Sequence, residues 1–191
     1  MTEYILHIDK QLFVFINSLL ANPVLDVVCP FFRNQKNWYV LYAVFAYILY
    51  RQYSFRALYI IAAAALLILI SDQMSANLIK NAVQRLRPCN DELFKSQVRL
   101  LVNCGKGYSY VSAHASNHFA LAVFMSAVIK NVHWLRTALL VWAACIAFSQ
   151  VYVGVHYPAD VISGSILGSI LALVFMKLII RFFPNFLQPK N

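Results

Sequence analysis

Charge is what this chain has least of: Asp, Glu, Lys and Arg make up 12% of its 191 residues, where an ordinary soluble domain carries roughly 25%. That shortfall excludes a solvated globular surface and points to a membrane protein, in line with a hydrophobic content of 61% and a mean hydropathy of +0.65. Gly/Ser-rich linkers, low-complexity tracts and repeats are also missing, so one domain over residues 1–191 is expected. The start, MTEYILHIDKQLF, carries acids and lacks the basic stretch, apolar run and small-residue cleavage site of a removable signal. Targeting then falls to a retained hydrophobic helix.

What is present in quantity is apolar helix. A hydrocarbon core of ~30 Å needs about 20 largely apolar helical residues, and segments 37–55, 57–80, 112–130, 134–153 and 160–183 meet that need. Arg51 can snorkel to the interface at the end of the first, with Tyr50 and Tyr53 as belt aromatics. Residues 4–20 mix apolar Leu6, Phe13, Ile16 and Leu20 with Asp9 and Lys10, a pattern that suits either an interfacial amphipathic helix or a poor first span. The expected fold class is an all-α integral membrane bundle of five or six helices with a site at one membrane face.

The polar residues are unevenly spread. Asp72, Ala76 and Lys80 fall at i, i+4 and i+8 of a predicted helix, and ionisable groups at membrane depth usually face a bundle interior or a water-filled cavity. Asp72 reads as a polar packing partner, with Lys80 as one candidate mate. Pro88 is expected to end this helix. The polar stretch 89–111 then leads to Ser112, a candidate N-cap whose helix start leaves the backbone N–H groups of Ala113 and His114 free beside a positive dipole end. Such an end binds anions. Lys80, Arg85, Arg87, Lys95, Arg99 and Lys106 crowd this end with Ser112, His114, His118, His156 and Asp160.

If the helices alternate in direction, three clusters share one membrane face: KNAVQRLRP from Lys80 to Pro88, SAHASNH from Ser112 to His118, and SQVYVGVHYPAD from Ser149 to Asp160. In order and spacing they resemble the three-part signature of the phosphatidic acid phosphatase type 2 family. That signature runs Lys, six residues, Arg-Pro; then Pro-Ser-Gly-His; then Ser-Arg, five residues, His, three residues, Asp. The resemblance covers residues 80–160 and departs at three positions. Val111 stands for Pro and Ala113 for Gly, and Ala113 retains its backbone N–H. Gln150 stands for Arg, so a neutral amide replaces a charged fork.

The resemblance implies a metal-free, cofactor-free phosphatase acting in two steps. His156 would attack phosphorus, Asp160 would orient it and stabilise the cation formed, and His114 would serve first as general acid and then as base toward water. Lys80, Arg87, Ser112, Ala113 and Gln150 would hold the phosphate oxygens. The implied partners are bilayer lipids and a lipid phosphate or diphosphate, such as phosphatidylglycerol phosphate, phosphatidic acid, undecaprenyl diphosphate or lipid A phosphates. No nucleic acid and no obligate protein partner are expected.

Two other classes fit the residues: a non-catalytic lipid-binding or transport protein on the same scaffold, and a metal-dependent hydrolase using His114, His118 and His156. His114 and His118 share a helical face, but the ASN between them lacks the Glu of H-E-x-x-H, so a pocket-lining or structural role suits His118. His7 and His133 read as structural. Arg85 lies off the helical face of Arg87 and reads as a head-group or solvent contact, and GSILG, Gly164 to Gly168, reads as close packing within the bundle. Cys89 and Cys104 flank the long loop and could be joined if it is extracytoplasmic. Arg51, Arg56, Lys130, Arg136, Lys177, Arg181 and Lys190 mark the opposite, cytoplasmic side. Arg33, Lys36, Lys95, Arg99 and Lys106 are cations on the site's side that phosphate does not explain. With the bacterial resemblance, the expected place is the inner membrane with the site facing the periplasm, and the net charge of +9 suits anionic lipid.

Overall fold

The computed structural model describes residues 2–129 and 132–188, which form seven helices with no strand among the described residues. Helix α1 (Thr2–Val14) runs on through a π turn (Phe15–Leu19). Helix α2 (Pro23–Arg33) starts where Asn22 Oδ1 accepts the N–H groups of Val24 and Leu25, with Pro23 at the first helical position. These two helices are bent by 116°. The sequence reading did not anticipate α2, although Asn-Pro before an apolar run and Arg33 in the last turn are its start and stop signals.

The five expected segments all appear, as α3 (Tyr39–Tyr53), α4 (Arg56–Val83), α5 (Ala113–Val128), α6 (His133–Tyr152) and α7 (Pro158–Phe182). Three helices are long and apolar enough to cross a membrane, Arg56–Val83, Trp134–Tyr152 and Pro158–Phe182, or four if the bent α1–α2 pair counts as one span. Helices α3 and α5 have 15 and 16 residues, roughly 22–24 Å of helix. Helix α5 is the centre of the bundle, with Ala115, Ser116, Ala120, Ala122 and Phe124 fully enclosed.

Helix α4 is not uniform. It is π-wound over Gln73–Ile79 and ends at Gln84, whose φ is 53°. The π segment puts more residues into each turn, which still returns Asp72, Ala76 and Lys80 toward one side, and Asp72 is among the charged groups acting on Lys80. Asp72 accepts from Asn117 Nδ2 of α5 at 3.0 Å. It is the polar packing partner expected, with Lys80 a charged neighbour beyond ion-pair distance.

Close approach of α5 and α7 depends on two glycines. A Cβ on Gly164 would lie 3.2 Å from that of Ala115, and one on Gly168 would overlap the Ser116 carbonyl. GSILG therefore packs within the bundle. Leu58, Leu66 and Leu69 of α4 and Ile162, Ile166, Ile170 and Leu173 of α7 face outward, as lipid-facing positions do. Arg51, Arg56, Lys177 and Arg181 lie toward one end of these helices, where Arg56 donates to the Gln188 carbonyl at 3.3 Å. Lys130 and Lys190, assigned to the same side, lie outside the described residues. At the other end, segment 84–112 is closed by a Cys89–Cys104 disulfide with a Cα separation of 6.1 Å.

Candidate active site

Asp160 sits at the junction of the three sequence clusters, fully buried in the first turn of α7. Its Oδ2 accepts the Tyr157 N–H at 2.9 Å, closing the helix start. The same oxygen is 3.4 Å from His156 Nδ1, an ion-pair distance whose angles fall short of a hydrogen bond. Its Oδ1 accepts from Arg85 Nη1 at 2.8 Å, and its backbone carbonyl accepts the Ser112 N–H at 3.0 Å. One residue thus ties the turn after α4, the start of α5 and the His156 loop together.

His156 lies between α6 and α7 and is 2% exposed. Its backbone N–H donates to the Gln150 carbonyl at 3.2 Å, which fixes the tight loop beyond α6. Arg87 Nη1 lies 3.2 Å from His156 Nε2 and 3.2 Å from the Val155 carbonyl. Guanidinium has donors only, so Nε2 presents its lone pair and the ring proton resides on Nδ1, facing Asp160. Burial pushes the His156 pKa down to about 4, with Asp160 opposing that shift and Arg87 and Lys80 adding to it. The imidazole is neutral at neutral pH, with the Nε2 lone pair unprotonated and facing Arg87.

His114 occupies the second position of α5, with Arg33, His118, His156 and Lys80 as the ionisable groups around it. Lys80 has Arg87, Asp160 and Asp72 as its charged neighbours. Ser112 caps α5, its Oγ accepting the Ala115 N–H at 3.4 Å, and the N–H groups of Ala113 and His114 have no acceptor among the described residues. His118 Nδ1 donates to the His114 carbonyl at 2.8 Å and its ring packs edge-on to Trp142, the structural role expected of it. All eight sequence-derived site residues therefore lie at one end of the bundle. Gln150 is fully buried with Nε2 unpartnered, and Arg87 Nε is likewise buried without an acceptor. Buried donors without acceptors are costly, and an anion would satisfy them.

The structure corrects the reading of Arg85. Because Gln84 ends the helix in a left-handed conformation, Arg85 is not on a helix and its helical face has no meaning. It lies 4.0 Å over the Tyr157 ring, bound to Asp160 and, through Nη2 at 2.6 Å, to Asp9 Oδ2. Asp9 of α1, 5% exposed, also accepts the Ala159 N–H at 2.8 Å, one of the open donors at the α7 start. Asp9 was missed, though an acid at an apolar helix position was its signal. Lys95 pairs with Glu92 at 2.6 Å and Arg99 with Asp26 at 2.9 Å, so these loop cations are held elsewhere by carboxylates. Arg33 was also missed: it reaches from α2 to Gln150, its Nε donating to Oε1 at 3.2 Å.

Comparison with known proteins identifies the family and the fold. The profile of the PAP2 superfamily matches residues 56–184. Lipid A 4'-phosphatases of Bacteroides thetaiotaomicron and Porphyromonas gingivalis are 34% and 31% identical, each over 88% of this chain and over 75% and 72% of their own lengths. The crystal structure of a transmembrane PAP2-type phosphatidylglycerolphosphate phosphatase from Bacillus subtilis superposes with a TM-score of 0.70 at 18% identity, covering 93% of this chain and 87% of that one.

Proposed function

The chain belongs to the PAP2 superfamily and is an integral membrane lipid phosphatase, and from that premise we propose that it removes a terminal phosphate from its lipid through a phosphohistidine on His156. His156 Nε2 attacks phosphorus in line with the lipid oxygen, the P–O bond to the lipid breaks, and His114, which takes up a proton when the phosphate dianion enters beside it, passes that proton to the departing oxygen. In the second step His114 takes a proton from water, which attacks the phosphohistidine, breaks the P–N bond and releases orthophosphate. Asp160 holds the Nδ1 proton and balances the imidazolium-like charge. Lys80, Arg87, the Ser112 hydroxyl, the Gln150 amide and the N–H groups of Ala113 and His114 take the phosphoryl oxygens. No metal enters this sequence.

The observation that carries the proposal is the His156 pair of contacts: Nδ1 beside Asp160 and the Nε2 lone pair turned to Arg87. The lipid A 4'-phosphatases among its relatives favour a lipid A phosphate as substrate. An amphiphile also suits a groove of about 480 Å³ between α3, α4 and α5, lined by Phe45, Leu49, Ala64 and Ile68 and ending at Asn117 and His118, one turn from His114. The Cys89–Cys104 bond supports an oxidising compartment for the site face, hence the periplasmic side of an inner membrane.

The test is phosphate release from a panel of detergent-solubilised lipid phosphates with EDTA present. We expect turnover in EDTA, an acid-labile phosphoenzyme with labelled substrate, and loss of both in His156→Ala. His114→Ala should still form some phosphoenzyme, slowly. Activity abolished by EDTA and restored by zinc would overturn the metal-free reading, and full turnover in His156→Ala would overturn the nucleophile.

A further inference from the structure

We propose that Arg33, at the C-terminal end of α2, is a third cation of the phosphate site and that Gln150 acts chiefly as the residue that positions it. The inference rests on the phosphatase reading and extends it to a helix that lies outside all three sequence clusters. Arg33 uses one nitrogen, Nε, to bind Gln150 Oε1 at 3.2 Å. Its two terminal nitrogens have no acceptor among the described residues, and no carboxylate is within ion-pair distance of it. A single anchoring bond leaves the outer edge of a guanidinium fork free, which is the edge that binds phosphate oxygens in a bidentate way.

The surroundings say where that edge lies. Arg33 acts electrostatically on both Arg87 and His114, so it belongs to the same charge cluster as the nucleophile's contact and the candidate acid. The cluster's carboxylate, Asp160, is already bound by Arg85, which is in turn bound by Asp9. Arg33, Arg87 and Lys80 are therefore gathered without an ion-pair partner among the described residues, Asp72 acting on Lys80 only from beyond ion-pair distance, and like charges repel most where water is scarce. A phosphoryl dianion relieves that repulsion. Gln150 is fully buried and its Nε2 is the matching unpartnered donor. The family's arginine would place a guanidinium at position 150; here the amide at 150 recruits one from α2, and the missing charge is restored in space.

The assay follows two arms on purified protein in detergent: hydrolysis of a lipid phosphate, and thermal stabilisation by inorganic orthophosphate. Arg33→Met should lower kcat/KM by about 10²–10³ and weaken orthophosphate stabilisation by at least about tenfold in concentration. Gln150→Leu should lose about tenfold, and the double variant should fall well short of the product of the two losses, because the part of the Gln150 effect that runs through the position of Arg33 vanishes with the arginine. Arg33→Met with Gln150→Arg should recover much of the loss on both arms. Should Arg33→Met fail to fold, Arg33→Lys, which keeps charge without the fork, replaces it and should lose at least about threefold on both arms.

Unchanged orthophosphate stabilisation in the folded Arg33 variant would overturn the phosphate contact, even if lipid turnover fell. Additive losses in the double variant would overturn the positioning role of Gln150. Because the orthophosphate arm needs no turnover, it reads Arg33 even in a protein that hydrolyses none of the lipids offered, so failure of the phosphatase reading and failure of this one separate.

Discussion

Asp160 accepts from Tyr157 and Arg85 and lies at ion-pair distance from His156, and Asp9 holds Arg85 from behind. A carboxylate buried this deeply keeps its charge only while paired, so orientation of His156 reaches back to α1. Asp9→Asn keeps an acceptor for the Ala159 N–H and removes the ion pair with Arg85. A hydrogen bond to a charged group is worth about 1.5–3 kcal/mol, so kcat should fall about tenfold or more with KM little changed, and the unfolding temperature should fall as well. The His156 pKa gives a second prediction. A base held near 4 is still neutral at pH 5, so phosphoenzyme formation, corrected for ionisation of the substrate, should persist as pH falls from 7 to 5 and be lost through about 4. A corrected acid limb near the ordinary histidine value of about 6.5 would contradict it.

Helices α5 and α7 set the spacing between His114 and the His156–Asp160 pair, and they do so over two glycines. In Gly168→Ala the new methyl would meet the Ser116 carbonyl, and overpacking of this kind costs about 1–3 kcal/mol. The unfolding temperature in detergent and the yield of folded protein should both fall. Ile166→Ala, on the lipid face of the same helix, should change neither. At this scale the sequence was most legible where patterns are local. The cap at Ser112, the proline start of α7 and the long apolar runs were all readable because each depends on a few adjacent residues. The end of α4 was not: it stops at Val83, five residues before Pro88, because Gln84 turns left-handed and the preceding turns are π-wound. Neither feature has a compositional signal, and Arg85 was misplaced as a result.

Across the whole molecule the acids are placed to organise cations. Asp9 and Asp160 hold Arg85, Asp26 holds Arg99, Asp91 holds Lys10 and Glu92 holds Lys95. Arg33, Lys80 and Arg87 are left without ion pairs among the described residues, at the end where the helix starts are open. If that end faces the periplasm, Lys106→Cys in a Cys29→Ala, Cys145→Ala background should react with an impermeant maleimide in intact spheroplasts. Asn185→Cys should react only after permeabilisation; the reverse pattern would invert the orientation. The sequence by itself determined the solvent and the five long apolar segments, and it singled out Lys80, Arg87, His114, His156 and Asp160 as a candidate site, since hydropathy, spacing and residue type are properties of the chain. Only the tertiary structure decided that Arg33, Asp9 and Arg85 belong with them. Their partners lie 117, 150 and 75 residues away, and a bond made across folded helices leaves no local trace in sequence.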